Sequence, residues 1–171
     1  MIEPLAKRMG AVTPSNRLFL VFYIGDERYA LPATDVVEVL PRLPLKPIAQ
    51  APAWVAGVFA HRSHMVPVID VSAMTFGHAA VARTSTRLVL VDFRGKLLGL
   101  MLEQASDTLR CNPDDFQPYG LDNRDAPYLG PVRKDPHGLT QWIRVDDLLS
   151  PAVCALLFPA NPDDAFTREL A

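Results

Sequence analysis

Apolar residues occur along this chain in short runs that predict β-hairpins rather than long helices. The run 18–24 is rich in β-branched and aromatic residues, stops at Gly25, and is followed by a second short run up to Leu31. Two further apolar runs flank the turn at Gly95, within 88–102. The two-residue alternation over 139–145 predicts another half-buried strand. The pattern therefore favours a mainly β protein.

The stretch 52–70 predicts a hairpin with a polar tip. Its two apolar runs, 55–60 and 65–69, are separated by the tetrapeptide His-Arg-Ser-His, which is typical of a tight turn. Pro67 has no N–H to donate to a sheet, so its strand is expected at an edge or beside a bulge. This hairpin is therefore a candidate docking surface.

The segment 35–40 leaves two structures open, a short helical turn capped by Thr34 or a strand. At helical spacing Val36 and Val39 share a face, whereas Glu38 points elsewhere. The end of the chain is clearer. Ser150 followed by Pro151 is typical of a helix start, with serine as the cap and proline in the first turn.

Two halves of the chain resemble each other weakly. Residues 17–25 align with 87–95 without a gap, and further along Val36 aligns with Ala105, a repeat of about 70 residues. The repeat favours a duplicated small β-domain, although two unrelated apolar hairpins would also align. The predicted organisation is a loose lead-in at 1–16, a first half at 17–72, a linker at 72–86, a second half at 87–149, and a short helix and tail at 151–171.

Composition excludes several classes of partner and location. The 171 residues are 49% hydrophobic, enough for a substantial core, and the net charge of −2 with no basic cluster argues against nucleic acid or an anionic membrane as partner. Cys111 and Cys154 belong to no metal or disulfide pattern. With no secretory signal and no apolar stretch of the roughly 18–20 residues that a membrane span needs, a cytoplasmic protein is expected.

Motifs for catalysis are missing from the sequence. It contains no nucleophile elbow, phosphate loop, dinucleotide fingerprint or His-Glu-x-x-His, which favours a binding module without catalytic residues or cofactor. His61 and His64 could share a metal only if the turn folded them together, and no third ligand is near in sequence. Solvated turn histidines are the preferred interpretation; a metal- or ligand-binding β-barrel enzyme is the remote alternative.

Arg62 lies between two apolar strands, where its guanidinium needs a planar acceptor. Glu38 is the acid in the valine-rich segment upstream. We therefore expect a Glu38–Arg62 ion pair at the surface. An exposed pair contributes only ~0.2–1 kcal/mol to stability, so its value would be in fixing the shape of a recognition site.

Over roughly 17–149 the chain resembles the CheW-like family of chemotaxis coupling proteins. The resemblance is carried by an ordered set of motifs: Phe19-Leu-Val-Phe, Tyr29-Ala-Leu-Pro32, Val36-x-Glu38-Val39, Pro52-x-Trp-Val-x-Gly57-Val, Arg62-x-x-x-x-Pro67-Val-Ile-Asp70 and Leu98-Gly99-Leu. It implies a mainly β fold of two intertwined five-stranded SH3-like barrels with short helices. It also implies no catalysis.

By the same resemblance, the chain would link the cytoplasmic hairpin tip of a chemoreceptor to the regulatory domain of a CheA-type histidine kinase, and would be recruited to receptor arrays at the membrane. The alternative is an adaptor of a non-flagellar pathway that binds another output protein. The groove receiving the receptor would include residues matched by motif and position: Val36, Glu38, Val39, Gly57, Arg62, Ser63, Gly99 and Ala105. Kinase-docking residues are not assigned.

The chain departs from the family pattern at two places beside this groove. Family members commonly have Arg-Gly where Arg62 and Ser63 stand, and serine at a position of positive φ implies a backbone cost or a changed turn. They also often carry Val-Asp-x-Val where this chain has Leu-Glu-Gln-Ala at 102–105. These changes suggest an atypical receptor or a weakened array contact.

Overall fold

The computed structural model describes residues 15–118 and 120–159, and most of the predicted lead-in and tail lies outside this range. Within it the chain forms ten strands: β1 (Arg17–Ile24), β2 (Glu27–Pro32), β3 (Val36–Pro41), β4 (Val55–His61), β5 (His64–Asp70), β6 (Arg87–Phe93), β7 (Lys96–Leu102), β8 (Asp107–Cys111), β9 (Leu129–Asp135) and β10 (Gly138–Ile143). Two short helices are α1 (Val71–Phe76) and α2 (Pro151–Leu157). The mainly β prediction is confirmed.

The strands form two five-stranded sheets, and each sheet draws on both halves of the chain. The first has the order β8-β1-β2-β10-β9, and the second has the order β3-β6-β7-β5-β4. The predicted pair of intertwined five-stranded units is therefore confirmed. The contiguous boundaries 17–72 and 87–149 do not coincide with the two sheets. In each half the first two strands lie in one sheet and the three strands that follow lie in the other sheet.

Two parallel strand pairs join strands from different halves of the chain. β10 runs parallel to β2, with Thr140 opposite Arg28, and β5 runs parallel to β7, with Val68 opposite Gly99. In both sheets the first hairpin of one half is thus flanked by a single strand and the second hairpin of the other half. The repeat predicted the equivalence of the hairpins. The predicted first half, 17–72, puts the 52–70 hairpin in one unit with the first hairpin, whereas this hairpin pairs with β7 in the second sheet.

The cores explain why the two sheets fold as one unit. A small hydrophobic cluster around Phe19 and Phe116 packs against the first sheet, and another around Phe59 and Leu90 packs against the second sheet. The largest cluster takes fully buried side chains from both sheets: Phe22, Leu31, Ile69, Val89, Val91, Leu98 and Leu100. Burial of each such side chain contributes about 1.5–3 kcal/mol, so the shared cluster stabilises the sheets together.

Local rules account for both helix starts. Ser150 Oγ accepts a hydrogen bond from the N–H of Val153, 3.3 Å away, and Pro151 occupies the first turn as predicted. α1 lies in the segment predicted as a linker. A carboxylate oxygen of Asp70 accepts the N–H of Ala73 at 3.1 Å, and Gly77 ends the helix with a left-handed φ of 80°.

Candidate protein-binding site

The segment 33–41 combines both structures that the sequence left open. A single 3-10 turn, Ala33–Asp35, leads directly into strand β3, and its start has no side-chain cap, so Thr34 does not cap it. Exposure alternates along β3, with Val37 and Val39 55% and 45% exposed. The expectation that Val36 and Val39 share a face is wrong, because the strand period of two puts them on opposite faces.

The side chain of Glu38 on β3 contacts residues at the end of β4, so it links the two outer strands of the second sheet. Its Oε1 lies 3.4 Å from Nη2 of Arg62 and 3.3 Å from Nε2 of His61, at the end of β4. β3 and β4 are the outer strands of this sheet, so the contact joins them at one end. The predicted Glu38–Arg62 pair is present, with the arginine side chain 77% exposed and the glutamate side chain 30% exposed.

His61 is the partner that sequence reasoning missed. Its side chain is only 15% exposed and contacts Glu38, so the interpretation as a solvated turn histidine is wrong for this residue. It is right for His64, which is exposed and has Nδ1 3.0 Å from the carbonyl oxygen of Arg62. The signal was the two-residue alternation along β4, which puts His61 on the same side as the buried Phe59.

A two-residue turn holds Arg62 in front of Glu38. His61 and His64 are paired across β4 and β5, and the two residues between them have φ values of 48° (Arg62) and 70° (Ser63). Two successive positive φ angles are typical of a type I′ hairpin turn, whose twist matches that of the strands. The positive φ expected for Ser63 is confirmed. We call residues His61–His64 the β4–β5 tip.

The two glycines and the alanine of the predicted groove are buried. A Cβ on Gly57 would lie 2.6 Å from the carbonyl oxygen of Lys46, and one on Gly99 would lie 2.8 Å from Cγ2 of Val68. Ala105 is 3% exposed. These positions shape the second sheet and the junction with the first through close packing. The groove residues that remain accessible are Val36, Glu38 and Val39 on β3, together with Arg62 and Ser63.

The 3-10 turn before β3 carries a carboxyl group in an acidic setting. Partial burial, together with the nearby carboxylates of Asp146 and Asp92, raises the pKa of Asp35 above its usual value. These three acids do not approach the β4–β5 tip in any ion pair. Across the described ranges, no group of three or more histidine, cysteine or acidic side chains is arranged to hold a metal ion.

A protein-binding domain is the class that this fold and site define. Two sheets share a core, the outer strand β3 exposes Val37 and Val39 on one face, and Glu38 on its other face pairs with the β4–β5 tip. The family is shown by sequence: the chain belongs to the CheW-like domain family, whose model matches residues 18–152. Members of this family are non-catalytic scaffold proteins of chemotaxis, and this chain is one of them rather than an enzyme.

Individual relatives agree with this assignment. The chain is 28% identical to the chemotaxis protein CheW of Rhizobium meliloti over 107 residues, which cover 63% of this chain and 69% of the relative. It is 27% identical to the CheW of Helicobacter pylori over 135 residues, covering 77% and 80%. The crystal structure of the scaffolding protein TtCheW from Thermoanaerobacter tengcongensis has the same fold, with a TM-score of 0.69 at 21% identity, covering 76% of this chain and 85% of that one.

None of the helices within 15–118 and 120–159 is long and apolar enough to cross a membrane.

Proposed function

We propose that this chain is a coupling protein that links the cytoplasmic hairpin tip of a chemoreceptor to the regulatory domain of a CheA-type histidine kinase. In this role it is cytoplasmic and joins membrane-bound receptor arrays. Membership of the CheW-like family supports the proposal. The observation that carries it is the Glu38–Arg62 pair, because it gives the family resemblance a defined accessible site where the two outer strands of the second sheet meet.

On this proposal the receptor contacts the accessible residues of the site. The exposed guanidinium of Arg62 offers several donors, and Val37 and Val39 offer apolar area on the face of β3 opposite to Glu38. A helical hairpin laid on such a surface binds through a few anchor residues, with the remaining contacts excluding water. Gly57, Gly99 and Ala105 contribute to the site by close packing rather than by contact with the partner.

The test is a titration of a receptor cytoplasmic hairpin fragment against the wild-type chain and Arg62→Ala. Removing an anchor arginine is expected to lower the affinity by about tenfold or more. The free energy of unfolding should change by less than about 1 kcal/mol, because Arg62 is largely exposed and its ion pair is solvated. Calorimetric titration and urea denaturation measure the two quantities.

Arg124→Ala is the matched control. Arg124 is 88% exposed and its Nη2 lies 2.6 Å from a carboxylate oxygen of Asp122, so it is also an exposed, ion-paired arginine. Its loss should leave receptor affinity unchanged within about twofold. Equal losses of affinity in both variants, or unfolding of Arg62→Ala, would contradict the assignment of Arg62 to the receptor surface.

A parallel titration with the kinase regulatory domain separates this function from its alternative. Binding to both receptor and kinase supports the coupling role. Binding to the receptor without binding to the kinase would instead indicate an adaptor for another output protein.

A further inference from the structure

One oxygen of Glu38 has two basic partners at different depths. Oε1 is within 3.3 Å of His61 Nε2 and 3.4 Å of Arg62 Nη2, but the histidine side chain is 15% exposed and the arginine side chain 77% exposed. The imidazole also packs against the ring of Phe59, with 5.9 Å between the ring centroids. His61 is therefore the inner partner of the carboxylate, and Arg62 is the outer one.

Two further basic residues lie in the tip and in the segment that adjoins β4. His64 is paired with His61 across the two strands, and its Nδ1 lies near the carbonyl oxygen of Arg62. Lys46 is exposed on the segment that is hydrogen bonded to the outer side of β4. In the described part of the chain, Glu38 is the acid within ion-pair distance of His61 and Arg62. The charge balance at Glu38 therefore depends on His61.

We infer, on the basis of the proposed coupling function, that Arg62 binds an acidic side chain of the receptor hairpin, and that protonation of His61 strengthens this contact. Histidine is the side chain that ordinarily changes charge between about pH 5 and pH 8. A charged His61 neutralises Glu38 from the inner side. The guanidinium of Arg62 is then available for a partner carboxylate, which it can bind through two hydrogen bonds.

With a neutral His61, Arg62 is the cation that balances Glu38. A partner carboxylate must then compete with Glu38 for the same guanidinium and approaches an uncompensated like charge. Protonation of His61 adds a unit of positive charge to the site and removes this competition. The affinity for an acidic partner is therefore expected to be higher at about pH 6 than at about pH 8, because histidine side chains ordinarily change charge in this range.

Exposed apolar residues on β3 and β5 define the rest of the partner segment. Val39 is 45% exposed and Met65 is 65% exposed, and by the strand alternation each lies on the opposite face from its neighbour, Glu38 or His64. A segment that contacts both Arg62 and this outer face carries one acidic residue together with apolar residues. An amphipathic receptor hairpin can present such a combination on one helix face.

The experiment measures the affinity of a recombinant receptor hairpin fragment at about pH 6 and about pH 8, a range in which a histidine ordinarily titrates. Wild type is compared with His61→Gln, and His64→Gln is the matched control because it removes the exposed neighbouring imidazole. Wild type and His64→Gln should bind about threefold more tightly at the lower pH, the size expected for a partly solvated charge pair. His61→Gln should lose this difference.

A pH difference retained in His61→Gln, or lost equally in both variants, would overturn the inference while leaving the coupling function standing. Failure of the wild-type chain to bind the fragment at either pH would contradict the coupling function as well.

An independent experiment uses the wild-type chain and varies the receptor fragment instead. Replacing the acidic residues of the receptor fragment one at a time by their amides should identify one position that removes the pH difference, and finding none would contradict the inference.

Discussion

Ser63 occupies a left-handed backbone conformation in a turn type that favours glycine at this position. The hairpin between β6 and β7 has the same arrangement, with φ values of 50° at Arg94 and 83° at Gly95, and there glycine fills the second place. A left-handed φ costs a residue with a Cβ about 1–2 kcal/mol. The serine therefore keeps the geometry that presents Arg62 to Glu38, at some cost in stability.

Ser63→Gly should increase the free energy of unfolding by up to about 1 kcal/mol, because relief of the left-handed strain exceeds the entropy that glycine loses on folding. Urea denaturation measures the change. Ser106→Gly is the control, since Ser106 is exposed and outside the residues with positive φ, and it should be neutral or destabilising. A Ser63→Gly variant no more stable than wild type would show that the turn does not strain this residue.

Strand β4 is an outer strand whose free side is partly closed by the segment before it. The N–H of Lys46 donates to the carbonyl oxygen of Val58 at 2.9 Å, and the N–H of Val58 donates back at 2.8 Å. Covering an edge in this way limits pairing with other chains. The close approach depends on Gly57, which has a φ of 146° and lies at a bulge between β4 and β5.

Gly57→Ala should lower the free energy of unfolding by about 2–4 kcal/mol, because its Cβ would meet the backbone of Lys46 and the residue would also be strained at positive φ. Gly25→Ala is the control. Gly25 has a φ of 62° but no atom within 4 Å of an added Cβ, so about 1 kcal/mol is expected from φ alone. Equal losses in thermal or urea unfolding would show that the contact with Lys46 does not constrain the strand.

Elements governed by local rules were predictable from the sequence, whereas elements governed by distant neighbours were not. The hairpins and the helix start at Ser150 follow from residue order alone. α1 was missed because it has only six residues, too few to show a helical period. Pro67 predicted a strand at an edge or beside a bulge. β5 is interior, and the second alternative holds, because the β4–β5 ladder has a bulge opposite Val68, and the ladder with β7 begins at Val68, one residue beyond the missing N–H.

The molecule folds as one unit because its halves exchange strands. Hydrophobic runs predict where strands lie but not which strands pair, so the contiguous boundaries failed where β5 and β10 cross to the other half's hairpin. The shared core of Phe22, Leu31 and Leu100 decides the arrangement through contacts distant in sequence.

The site also depends on contacts distant in sequence. The Glu38–Arg62 pair was predictable, but the contact of Glu38 with His61 requires the two outer strands of one sheet to meet.

The central claim is that this chain physically couples receptor and kinase. The direct measurement is co-sedimentation of the kinase regulatory domain with receptor-bearing membranes, in the presence and absence of the chain. The account predicts that the kinase domain enters the pellet when the wild-type chain is present and that Arg62→Ala greatly reduces the pelleted amount. A kinase domain that pellets equally without the chain, or stays in the supernatant with it, would contradict the account.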